Sequence, residues 1–197
     1  RLVSFGKKHN IIICHDNPYS FILNDKPLSI FMAEGAKEIC IELNSLSKSH
    51  NMPGWRIGMV ASNPQFIGWI LRIKSNMDSG MFRPLQMAAA KALSLPDSWY
   101  KGMNDVYRKR STLAGKILES VGAKFESNQV GLFLWGKIEG QRGVDLCDEI
   151  LYNAKVFITP GFIFGSNGEN YIRVSLCADE ATLERALQRI ENYNSNK

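Results

Sequence analysis

Four consecutive apolar residues, Ile11-Ile12-Ile13-Cys14, constrain the fold more than any other stretch of the chain. The run is short, unbroken and rich in β-branched side chains, the pattern of a strand covered on both faces in a parallel sheet. It stops at a polar turn, His15-Asp16-Asn17-Pro18-Tyr19-Ser20. Such a strand needs neighbours beside it and helices over it. Glu38–Leu43 (EICIEL) alternates and predicts a second strand, and Ile57–Ala61 predicts a third. Asn63-Pro64 opens a helix with proline in its first turn, and Phe66, Ile67, Ile70 and Leu71 form its apolar stripe. Residues 1–10 predict the last turns of a helix that Gly6 weakens near its end, and residues 21–37 read as irregular.

The pattern changes beyond the glycine-containing connection Met77–Arg83. Residues 84–95 predict a short Ala-rich helix. Pro96-Asp97 starts a long one, with Gly122 as its C-cap. Short strands are expected at Ala123–Phe125, Leu132–Gly136, Val156–Ile158 and Tyr171–Leu176, with helices over about 143–154 and from Asp179 onward. The fold class is therefore α/β: the edge of a mostly parallel sheet, followed by a smaller α+β domain.

With 45% hydrophobic and 22% charged residues, the 197-residue chain has an ordinary globular composition. The net charge of +5 is scattered, and its densest cluster, Arg108-Lys109-Arg110, falls in a helical pattern, so no nucleic-acid partner is expected. No apolar run approaches the ~18–20 residues that a membrane helix needs, so no membrane partner is expected. Cys14, Cys40, Cys147 and Cys177 are distant from one another and sit in apolar runs, where cysteine behaves as a small hydrophobe. They point to a reduced, cytoplasmic protein. His9, His15 and His50 lack ligand spacing, and no metal site is expected.

The chemistry concentrates in residues 43–58, Leu43-Asn44-Ser45-Leu46-Ser47-Lys48-Ser49-His50-Asn51-Met52-Pro53-Gly54-Trp55-Arg56-Ile57-Gly58. Lys48 sits among Ser45, Ser47 and Ser49, and Arg56 stands between Gly54 and Gly58, which let backbone approach closely. An amine that is partly buried near positive charge becomes a carbonyl-trapping nucleophile, whereas a lysine in a polar loop is simply solvated. A guanidinium takes two phosphate oxygens at once, and serine hydroxyls add further bonds. Asp16 reads either as a turn initiator or as a carboxylate for a protonated pyridine nitrogen. Tyr19 either reaches a ring hydroxyl or packs. Arg173 interrupts an apolar strand, and a buried arginine needs an anion, either a structural carboxylate or a substrate's.

Taken in order, Asp16-x-x-Tyr19, Ser45-x-Ser47-Lys48, Gly54-x-Arg56-x-Gly58 and Tyr171-x-Arg173 resemble the fold-type-I aminotransferases that use pyridoxal phosphate, nearest the aspartate/aromatic/diaminopimelate branch. The resemblance covers the whole chain. It implies that Lys48 forms the Schiff base with pyridoxal 5'-phosphate and shuttles the substrate proton. It implies that Asp16 holds the pyridine nitrogen and Tyr19 the ring oxygen. Ser45, Ser47 and Arg56 would grip the phosphate, and Arg173 the α-carboxylate. The implied substrates are an amino acid and a 2-oxo acid. A homodimer is implied for the full-length protein, with the Asp78–Phe82 loop where its contact would fall.

The same resemblance implies a preceding region with a phosphate-binding loop, a ring-stacking aromatic and an asparagine, none of which residues 1–15 match. Residues 1–80 then read as the remnant of the large cofactor-binding domain and 81–197 as the small C-terminal domain. The expectation is a C-terminal fragment that is inactive by itself. A carbon–sulfur lyase or decarboxylase of the same fold, or a non-catalytic α/β binding or regulatory module, are the alternatives.

Overall fold

The structure, a computed structural model, describes residues 1–197. By packing, the chain divides into two compact units, Arg1–Tyr100 and Lys101–Lys197.

In the first unit, helix α1 (Leu2–His9) ends at Asn10 in a left-handed cap and leads into strand β1 (Ile13–Asp16). The connection that follows holds a 3-10 turn at Ile30–Met32 and a single helical turn, α2 (Ala36–Ile39). Strand β2 (Cys40–Ser45) runs straight into the one-turn helix α3 (Leu46–Ser49). Strand β3 (Gly58–Ala61), helix α4 (Pro64–Met77) and helix α5 (Arg83–Leu93) complete the unit. The three strands lie in the order β1-β2-β3, with β1 and β2 parallel and β3 antiparallel to β2. The reversal has a simple cause. The segment between β2 and β3 holds no helix long enough to cross the sheet, so the chain turns back.

The core of this unit lies under α1, α2 and β2, where Val3, Ala36 and Cys40 are buried against Ile13, Ile30, Phe31 and Ile39. The expectation that Ile11–Cys14 forms a strand covered on both faces is corrected here. The ladder begins at Ile13, and Ile11 and Ile12 are 45% and 49% exposed. The cause is position, since β1 is an edge strand with one hydrogen-bonded neighbour. The expectation for the cysteines is corrected as well. Cys40 and Cys147 are buried, whereas Cys14 and Cys177 are exposed.

Helix α6 (Asp97–Ser120) begins within the first unit and continues into the second. It ends where expected, with Gly122 at φ +73°. In the second unit, strand β4 (Phe133–Lys137), helix α7 (Gly143–Ala154), the two-residue strand β5 (Thr159–Pro160), strand β6 (Tyr171–Ser175) and helix α8 (Glu180–Ser195) follow. Their sheet is antiparallel throughout, in the order β4-β6-β5. Alternation sends Leu134, Ile172 and Val174 into a core shared with Ile117 and Leu118 of α6, Ile150 of α7, and Leu183 and Ile190 of α8. Full burial of each such side chain contributes roughly 1.5–3 kcal/mol.

Two expected strands fail for want of a ladder partner. At Val156–Ile158 the alternation is present, with Ile158 buried and Phe157 exposed, but β6 pairs with Thr159 and Pro160 instead. Ala123–Phe125 makes a single bridge, Lys124 to Lys137.

Candidate functional site

The topology of the first unit gathers most of the chemistry-bearing residues at one end of its sheet. Asp16 closes β1 and registers beside Leu43 of the parallel β2. Ser45 closes β2 and registers opposite Gly58, the first residue of the antiparallel β3. Asp16 and Tyr19 therefore leave the carboxyl end of one strand, and Ser45, Ser47 and Lys48 leave the carboxyl end of its neighbour. Arg56 precedes the β3 strand that starts at that same end. Ligands of open α/β sheets bind outside such strand ends.

The turn after β1 is held by Asn17. Its amide donates to Leu28 O at 3.0 Å and to Glu42 Oε1 at 3.2 Å, and its side-chain oxygen accepts from the Ser20 hydroxyl. The turn-forming work assigned by sequence to Asp16 thus falls to its neighbour. The exposed Asp16 carboxylate makes no hydrogen bond or ion pair.

Lys48 occupies the last turn of α3 and is half-buried. Its Nζ lies 5.8 Å from the centroid of the Tyr19 ring, within cation–π range, and it has no carboxylate partner. Ser45 caps α3, its hydroxyl accepting from Ser47 N at 3.2 Å and donating to Ile57 O at 3.4 Å. Arg56 sits in the left-handed region at φ 52°, uncommon for a side chain of its size, and donates to Pro53 O at 3.0 Å. The rest of its exposed guanidinium is open to an anion. Of the two flanking glycines, Gly58 is the one that close approach requires, since a Cβ there would lie 2.7 Å from Asn44 O. Nothing stands within 4 Å of a Cβ at Gly54, so the expected close approach there is corrected.

Behind this surface lie residues that the sequence did not single out for a role. Glu42 accepts from Ser29 Oγ at 2.5 Å and from Ile30 N at 3.0 Å, with His15 Nδ1 at 3.3 Å in addition to Asn17. Burial acts to raise the pKa of this carboxyl, but these hydrogen bonds, from Ser29 foremost, hold it below the usual carboxylate range. The available signal was a charge inside an otherwise apolar strand. Ser49 and His50, the two residues after Lys48, are buried, with His50 Nδ1 2.8 Å from Ser49 Oγ and His50 Nε2 3.2 Å from the Tyr100 hydroxyl. Burial pushes the His50 pKa down, with the Ala92 carbonyl acting in the opposite direction. A histidine beside a serine carried no comparable signal.

In the second unit, Arg173 lies on the half-exposed face of β6. Its guanidinium carbon is 4.0 Å from the Phe133 ring centroid and 4.1 Å from that of Phe164. Trp135 stacks on Tyr171 at 5.2 Å on the same face. Of the two anions that the sequence left open for Arg173, the structural carboxylate is absent, for the residue has no ion pair and two aromatic rings hold it instead. No group of three His, Cys, Asp or Glu side chains converges as metal ligands would.

The family model described as aminotransferase class I and II matches residues 1–190. The chain belongs to this family. An LL-diaminopimelate aminotransferase from Nitratidesulfovibrio vulgaris is 38% identical over 197 residues, covering 98% of this chain and 51% of the relative. Among solved structures, apo-BacF from Bacillus subtilis superimposes with a TM-score of 0.89 at 32% identity, over 98% of this chain and 50% of that one. An aromatic aminotransferase from Pyrococcus horikoshii superimposes with a TM-score of 0.88 at 29% identity, over 99% and 54% of the two chains. The chain therefore spans about half the length of the aminotransferases it matches. Aminotransferases of this family depend on pyridoxal phosphate. No helix is long and apolar enough to cross a membrane.

Proposed function

We propose that the protein carrying this chain transfers an amino group from an amino acid to a 2-oxo acid, with pyridoxal 5'-phosphate as cofactor. One observation carries the reading. An amine (Lys48), a carboxylate (Asp16) and a guanidinium (Arg56) leave one end of one sheet, and none of the three is neutralised by an ion pair. That donor set fits a phosphorylated pyridine carbonyl compound. Bound there, pyridoxal phosphate supplies an electron sink for the pair left on a substrate Cα when its proton departs.

In this reading Asp16 holds a protonated ring nitrogen by a charge-assisted hydrogen bond, and the Tyr19 hydroxyl meets the ring oxygen. Arg56 takes two phosphate oxygens in a fork, with hydroxyls from Ser45 and Ser47 beside it. Ser45 exchanges a long bond to Ile57 O, 3.4 Å, for this contact, so little is lost. The Lys48 amine would take the proton from the substrate Cα and deliver it to the carbonyl-derived carbon of the cofactor. Arg173 takes the carboxylate next to the reacting amine, its plane preset by Phe133 and Phe164. The matched relatives are named for different substrates, LL-diaminopimelate and aromatic amino acids. The α-carboxylate common to amino acids is accordingly the part assigned to Arg173.

Residues 1–80 belong, in this reading, to the large cofactor-binding domain and 81–197 to the small one. The full protein is a cytoplasmic homodimer. The four cysteines of this chain are unpaired, and Met77, Met81 and Phe82 around the Asp78–Phe82 loop are exposed, as a subunit contact would require.

The test uses the full-length protein. A visible absorbance that borohydride abolishes, with the reduced label mapped to Lys48 and lost in Lys48→Ala, is the expected result. A colourless full-length protein, or a label on another lysine, overturns the reading.

A further inference from the structure

Helix α3 has four residues, too few to hold itself in water. Lys48 therefore points where it does because other parts of the chain impose the turn. The Leu46 side chain is buried, and Leu46 N donates to Ile57 O at 3.1 Å. The Trp99 indole donates to Ser49 O at 3.3 Å. The remaining anchor runs through His50, which is 5% exposed, beside Ser49, which is 1% exposed.

Both ring nitrogens of His50 take part in this anchor. Ser49 Oγ donates its one hydrogen to Ser45 O at 3.3 Å. Ser49 Oγ also lies 2.8 Å from His50 Nδ1. The other ring nitrogen, His50 Nε2, lies 3.2 Å from the Tyr100 hydroxyl. One chain of contacts therefore links the Tyr100 hydroxyl, His50, Ser49 and the carbonyl of Ser45, the residue that caps the lysine's turn. Tyr100 is itself fixed by stacking on Phe21, with centroids 5.1 Å apart. It lies in the first turn of α6, so the lysine's turn is tied to a helix that is remote in sequence.

We infer that His50 is a positioning residue for Lys48, acting with Tyr100 and Ser49 to hold the amine half-buried over the Tyr19 ring. The inference deepens the reading of Lys48 as the reacting amine, but its test does not need the cofactor.

The experiment is competitive trace labelling of lysines in the full chain with an amine-directed acylating reagent. The readout is the reactivity of Lys48 relative to the exposed Lys116 of the same molecule. In His50→Leu and in Tyr100→Phe, the Lys48/Lys116 ratio is expected to rise about two- to tenfold as the amine swings into solvent, the range that loss of one hydrogen bond supplies. Tyr100→Phe retains the ring that stacks on Phe21, and so gives a readable result even where His50→Leu fails to fold. His50→Asn keeps a polar amide near the Nδ1 position, able to bond Ser49 Oγ in either direction, and is expected to restore the ratio to within about twofold of the parent, an effect that loss of core packing alone would not produce. An unchanged ratio in a folded variant, or an Asn variant indistinguishable from Leu, overturns the inference. Absence of a borohydride-sensitive absorbance in the full-length protein would sink the cofactor reading and leave this ratio untouched, so the two failures are separable.

Discussion

Gly58 stands so close to Asn44 across the β2–β3 pair that a Cβ on it would lie 2.7 Å from the Asn44 carbonyl oxygen. The obstacle is backbone in a ladder and cannot rotate away. Gly58 is also the residue opposite Ser45, between Arg56 and the rest of β3. Gly58→Ala is therefore expected to destabilise the chain by about 1–3 kcal/mol, the range for overpacking in a fixed surrounding. It should also displace the cap of α3. Urea unfolding followed by circular dichroism measures the first effect. A rise in Lys48 labelling relative to Lys116 measures the second. Gly54→Ala is the control, since its Cβ meets nothing within 4 Å and should change neither.

Glu42 gathers donors from Asn17, Ser29 and Ile30 N, with its side chain 11% exposed, and so joins the turn that presents Asp16 to the strand that presents Ser45. Glu42→Ala leaves these donors without an acceptor and is expected to cost about 1–3 kcal/mol. The pH dependence follows from the lowered pKa. The unfolded chain binds the proton more readily than the folded one. The contribution is thus fully present above the unfolded carboxylate value of about 4.3 and is lost as pH falls through the lower folded value. Chemical unfolding from pH 6 down to about 3 should show a steeper loss for the parent than for Glu42→Ala. Parallel curves would contradict this.

Much of this arrangement was legible in the sequence, and the exceptions share a cause. Local patterns located β2, α4, α6 and β6 because each element's side chains repeat with its own period, and β3 because it is a short apolar run. The residues at the sheet end were legible because their chemistry is unusual at that spacing. What escaped depends on partners distant along the chain. The antiparallel direction of β3 follows from what the connection lacks. The exposure of Ile11 follows from β1 having one neighbour. The surroundings of Arg173 come from Phe133 and Phe164, which only the fold brings to one face. One-turn helices such as α2 and α3 carry no periodic signal at all and form because their surroundings require them.

The thiols provide a direct check on burial. Burial pushes the Cys147 pKa up to about 12 and raises that of Cys40, which keeps both as protonated, shielded thiols. Cys14 and Cys177 are exposed. Titration of the native chain with a chromogenic disulfide is expected to show two fast thiols, with the other two reacting only at the rate of unfolding. Mass mapping should find the fast label on Cys14 and Cys177. Rapid labelling of Cys147 would contradict the packing of α7.

His50 sets a second pH dependence, of opposite chemistry to that of Glu42 but the same sign. Its folded pKa is lowered, chiefly by burial. Below the unfolded histidine value of about 6.5, the unfolded chain takes up a proton that the folded chain resists. Stability is therefore complete above that value and declines as pH falls toward the folded one. His50→Asn removes the titrating group while keeping a hydrogen-bonding amide beside Ser49. The difference in unfolding free energy between parent and variant should consequently shrink from pH 7 to pH 5, because the parent alone loses this contribution. His9 and His15 are common to both proteins and cancel in that difference. A difference that stays constant across the range would mean that His50 is not shielded from protons in the folded chain, against its burial beside Ser49 and Tyr100.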